Sequence, residues 1–186
     1  MKKLRFVSQW VLPTLPFTIW SNRNEIPETP DNLSKEELHK KYAEDLVNLT
    51  IDQRNAIVTV YADSQDRFTI LESKATGVLT AIAIIAALAT FACTGSFASA
   101  TFGSLALLFL TSGGVACCLV LLPKTRYVLS VPSVVTTDPV LAAAFCARMS
   151  ENQTLRMANL ITSAMRDLLR ALVLTLFAVI LFIIIG

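Results

Sequence analysis

From Ala75 to Pro123 the chain runs through 49 residues without an ionisable side chain; the flanking charges are Lys74 and Lys124. A helix needs about 20 apolar residues to cross a bilayer core. The run therefore has the length of two crossings and a short turn. A soluble helix pair keeps charge on its water-facing side, and this stretch has none to offer. The pattern predicts a first span over residues 75–93, a small polar connector over 94–103 and a second span over 104–123. A further apolar stretch predicts a third span over 168–185, with Arg166 and Arg170 able to reach the interface at its mouth.

The segments between the spans read as helix and linker. Residues 1–33 form an arm that ends in a linker rich in proline and turn formers. Its first twenty residues carry Lys2, Lys3 and Arg5, but Pro13 and Pro16 interrupt the apolar part and no small-residue cleavage site follows. The arm is either an uncleaved segment resting at a membrane interface through Trp10 and Trp20 or a loosely ordered tail. Ser34 to Glu37 is a capping box that opens a helix. No proline follows until the second span ends, and Gly77 is the one glycine before Cys93. The predicted helix covers 34–74 and runs on into the first span, with a break near Thr50–Ile51–Asp52 left open. Ile57, Tyr61, Ser64, Phe68, Leu71, Ala75 and Val78 alternate at spacings of four and three, a heptad-like seam. Residues 124–138 read as an extended connector. Asp138 and Pro139 then supply the cap and first turn of a second long helix, 139–167, leading into the third span.

The predicted fold class is thus an all-α integral membrane protein, with three transmembrane helices, long cytoplasmic helical extensions and oligomeric assembly. Composition agrees: 54% of residues are hydrophobic and 16% charged, against about a quarter charged in ordinary soluble domains. The net charge of +2 gives no global basic field for a nucleic acid polymer. Cys93, Cys117, Cys118 and Cys146 have no metal-ligand spacing and read as small packing residues. Lysine and arginine are missing from 94–103 but present at Arg54, Arg67, Lys74, Lys124, Arg126, Arg148, Arg156, Arg166 and Arg170. The positive-inside rule then sets the N-terminus in the cytoplasm and the C-terminus outside, in a cell's inner (plasma) membrane.

The spans differ in texture. The first is rich in small residues, including Ala83 and Ala87; the second holds Ser112, Gly113 and Gly114; the third is bulky. Helices in lipid associate where small residues let backbones approach. The first two spans are expected to carry protein contacts and the third to face lipid. The small surfaces serve either a homo-oligomer interface or a tightened internal hairpin.

Chemistry is sparse. The spans are expected to hold no ionised side chain, hence no proton relay or coupling carboxylate. The lone His39 sits among charged residues and has no nearby nucleophile in sequence. No phosphate loop or hydrolase motif occurs. The expectation is a non-enzyme with no cofactor and no metal. One polar constellation stands out: Arg148, Asn152, Arg156 and Asn159, at spacings of 4, 4 and 3 on one helix face. It reads either as an anion-contacting strip facing a pocket between the two extensions or as a solvated face.

The order of these features resembles the Pycsar membrane effectors of bacterial anti-phage nucleotide signalling. The resemblance rests on Glu72-Ser-Lys74-Ala75-Thr-Gly-Val-Leu79 at the first span and Leu121-Leu-Pro123-Lys124-Thr-Arg126 after the second. It continues through Glu151-Asn152 to Asn159 and Leu169-Arg170-Ala171. It covers residues 60–186; where that family has a Lys-rich segment, this chain has Met157-Ala-Asn159. It implies a protein that senses a cyclic nucleotide in the cytoplasm and then compromises the membrane. The alternative is a non-catalytic structural or accessory subunit of a larger membrane complex.

Overall fold

The computed structural model describes residues 12–25, 40, 50–122 and 139–185. Four helices stand among them: α1 (Leu15–Glu25), α2 (Ile51–Ala92), α3 (Phe97–Leu121) and α4 (Pro139–Ile185). No strand occurs among the described residues. Three helices, α2, α3 and α4, are long and apolar enough to cross a membrane. Apart from Lys40, the helix expected from Ser34 up to Leu49 lies outside the described residues, as do His39 and the connector 124–138.

Local chemistry sets the helix ends. Thr50 and Gln53 form a reciprocal cap for α2. The Gln53 N–H donates to Thr50 Oγ1 at 3.3 Å, and the Thr50 N–H donates to Gln53 Oε1 at 2.9 Å. The break left open near Thr50 is therefore a helix start. At its far end α2 unwinds through Thr94 and Gly95, whose N–H groups donate back to Phe91 and Ala92. Ser96 then caps α3 by accepting from the Ser99 N–H. That cap begins the helix at Phe97, so residues 97–103, expected as connector, are helical. Small polar residues read as loop when taken one at a time, but Ser96 with Ser99 is an N-terminal signal.

The chain divides into two compact units. The first comprises Met1–Ser21, Glu72–Leu122 and Ala158–Gly186; the second comprises Asn22–Leu71 and Pro123–Met157. In the first unit the second half of α2, all of α3 and the second half of α4 form a three-helix bundle. Its seams repeat at spacings of four and three. On α3 they run Ser99, Gly103, Ala106, Leu110, Gly113, Cys117 and Val120, all buried. On α2 they include Ala75, Ile82 and Ala89, and on α4 Ala164, Ala171 and Ala178. A 3.5-residue period is that of knobs-into-holes packing. Close approach follows from residue size: a Cβ on Gly103 would lie 2.9 Å from the Ala89 carbonyl oxygen, and one on Gly113 would lie 3.3 Å from that of Ala164. Ring pairs Phe91–Phe182 (centroids 4.8 Å apart) and Phe102–Phe177 (6.3 Å) pack the end of the bundle beside the α2–α3 turn.

The third apolar stretch has two faces. It presents bulky Leu172, Leu176, Phe177 and Ile180 outward, yet buries Ala164, Ala171, Thr175 and Ala178 against its neighbours. Its few small residues are thus concentrated on one face, which packs against the bundle and leaves the bulky side chains exposed.

In the second unit the seam read from the sequence lies on the more protected side of α2: Phe68 is buried and Ile57, Tyr61 and Ser64 are half-buried. On α4, Ala143, Cys146, Ser150 and Met157 are buried at the same period.

Candidate functional site

In the second unit, α2 and α4 enclose a groove of about 550 Å³. Ile57, Val60 and Ser64 form its α2 wall; Ala144, Ala147 and Leu155 belong to its α4 wall. Four charged side chains also line it: Asp63 and Arg67 from α2, Arg148 and Glu151 from α4. Each set recurs at helical spacing, so each wall is a single helix face. Arg148 and Glu151 are ion-paired one turn apart on α4, both about half exposed (43% and 50%). A pair that wet is worth little to stability, and its charges stay accessible to a solute. An apolar floor with a few charges at the rim is a common form of small-molecule site.

The four residues singled out on α4 fare differently. Arg148 lines the groove. Asn152 and Arg156 are half-buried in the same unit, and the Arg156 carbonyl accepts from Asn22 Nδ2 at 3.2 Å. Asn159 is exposed and belongs to the first unit. Asp63 and Arg67, which the sequence places merely off the seam, are the groove's additional charges. Asp63 and Arg67 follow Val60 by three and seven residues, which is the signal that could have found them.

The first unit holds a second polar site, centred on Asp167. Its carboxylate is fully buried. The Thr14 N–H donates to both oxygens at 3.1 Å, and Ser112 Oγ donates to Oδ2 at 2.6 Å. Arg170 Nη1 donates to Oδ1 at 3.1 Å, and also to the Leu12 carbonyl at 3.2 Å. The Arg170 guanidinium lies 5.7 Å from the centre of the Phe109 ring, within cation–π range. Thr14 is further tied to α4: its hydroxyl donates to the Ser163 carbonyl at 3.0 Å and lies 2.7 Å from Ser163 Oγ. Thr14 also stands at the N-terminal end of α1, where the Thr18 N–H returns to its carbonyl. Carboxylates are favoured at such an end. A buried carboxylate is tolerated only when paired and fully hydrogen-bonded, and this one meets both conditions.

Asp167 places a carboxylate inside the apolar bundle. Ser112, its partner, is the sixteenth of the 25 residues of α3, well inside the most apolar helix. The sequence reading starts the third span at 168 and so leaves Asp167 just outside. Its heptad position gives it away: it follows Leu160 by seven residues and precedes Leu174 by seven, in the seam rather than on the surface.

The packing residues also separate. Ser112 and Gly113 are buried inside the bundle, while Ala83 and Ala87 are exposed. A Cβ on Gly114 would meet nothing within 4 Å. All four cysteines are free thiols. Compared with known proteins, the chain matches no family model, no curated protein and no solved structure.

Proposed function

We propose that this chain is an integral membrane protein that acts as a non-enzymatic effector, perturbing the membrane when a small cytoplasmic ligand occupies the α2–α4 groove. The observation that carries the reading is the double use of two helices. α2 and α4 line a charged groove, and the same two helices supply apolar segments long enough to cross a bilayer. A ligand that binds one arrangement of those helices better than another shifts their population, and a continuous helix carries the shift along its length. In this reading the first unit lies in the inner membrane, the second stands in the cytoplasm, and the C-terminus is outside. The exposed Ala83 and Ala87 provide the face on which copies assemble.

The resemblance to Pycsar membrane effectors names the ligand class as a cyclic nucleotide and the setting as anti-phage defence. Arg148 and Arg67 are the groove cations suited to its phosphate. The test is dye release from vesicles carrying the full chain, with a panel of cyclic mononucleotides. Release by one of them, weakened by Arg148→Ala, is the expected result. No release and no binding by any of them would overturn the ligand assignment. Mass measurement in nanodiscs addresses assembly: several copies are expected, while one copy bound to an unrelated stoichiometric partner would favour an accessory subunit.

A further inference from the structure

The groove does not use the Asp167 cluster, which demands its own account. Among the described residues, residues 12–14 are tied to α4 by polar bonds: Thr14 to Asp167 and Ser163, and Leu12 to Arg170. The same Asp167 carboxylate binds Ser112 on α3. One buried anion therefore fastens three separate pieces of chain. The segment in turn supplies two backbone groups that the charged pair needs, the Thr14 N–H and the Leu12 carbonyl. If it leaves, Asp167 and Arg170 lose those partners inside an apolar bundle. The two keep each other and Ser112, but the carboxylate loses the Thr14 N–H from both oxygens, and water is the donor that can replace it.

We propose that residues 12–14 are a strap, pinned by Asp167 and Arg170, whose release opens a water-lined path for ions between α3 and α4. The proposal rests on the membrane-effector reading and names the step at which the bundle opens. Losing hydrogen bonds to a charged group shifts such an equilibrium by about ten- to a hundredfold, so Asp167→Asn favours the open state.

The test locks the strap. Thr14 Oγ1 and Ser163 Oγ are 2.7 Å apart, close enough for Thr14→Cys with Ser163→Cys to form a disulfide. The full-length double variant is placed in potassium-loaded vesicles of phosphatidylethanolamine and phosphatidylglycerol, and potassium release is read with an ion-selective electrode. Release is compared before and after reduction, with the oxidised parent as control for the native cysteines. The Asp167→Asn variant, with its helicity checked by circular dichroism, is measured alongside. Release that is silent in the oxidised form and appears on reduction supports the strap. So does release by Asp167→Asn from vesicles that the parent leaves intact. Equal release by the oxidised and reduced forms overturns the strap and leaves the effector reading standing. Silence in the reduced form and in Asp167→Asn alike also overturns the strap, while the effector reading is tested separately by the nucleotide panel.

Discussion

At the scale of single residues, the apolar bundle depends on what its few polar and smallest side chains do. Asp167 is compensated on both oxygens, so deleting it strands the half-buried Arg170 and the Thr14 and Ser112 donors without that carboxylate. Asp167→Ala is expected to destabilise the fold by about 3–5 kcal/mol. Ser112→Ala removes one hydrogen bond to that carboxylate and is expected to cost about 1.5–3 kcal/mol. Denaturant or thermal unfolding in detergent, read by circular dichroism, orders the two. Glycines divide in the same way. Gly103→Ala drives a methyl toward the Ala89 carbonyl, which backbone cannot yield, and is expected to cost about 1–3 kcal/mol. Gly114→Ala meets open space and is expected to be neutral or stabilising by up to about 1 kcal/mol. Equal effects at the two glycines would contradict the close approach of α2 and α3. Asp167 was hard to see in the sequence because a hydropathy window reads an aspartate beside Arg166 and Arg170 as the outer edge of a span. Only its place in the heptad separates a seam residue from a surface one.

At the scale of elements, periodicity carried more information than composition. The seam from Ile57 to Val78 lies on the protected side of α2 as its spacing requires, and it continues through Ile82 and Ala89. The same period was available in α4, where every seventh residue from Ala143 to Ala178 is buried, but the bulk of the neighbouring side chains masked it. Caps decided the helix ends. Thr50-Ile-Asp-Gln53 has the same form as the box at Ser34, yet it stands within a long breaker-free run, where a continuous helix is the simpler expectation. Thr50→Ala is expected to weaken the start of α2 by about 1 kcal/mol. Amide exchange would speed up over the first turn after Ile51 and stay unchanged near Ala89. The groove charges were only partly legible. Arg148 was singled out, but its counterparts on α2 emerge only when two helix faces are brought together.

At the scale of the whole molecule, the apolar helices are the proposed spans and the charged groove is the proposed place where a signal is received. The first part was legible directly, because 49 uncharged residues leave few surfaces that water can cover. The second was not, since a groove is a property of two helices whose facing no single sequence window contains. Both the strap and the effector reading stand on the bilayer. The direct test is an alkaline carbonate wash of membranes from cells making the full chain. Retention in the membrane pellet, with release only by detergent, is the predicted result. A chain that appears in the supernatant, dispersed without detergent, would contradict the membrane placement.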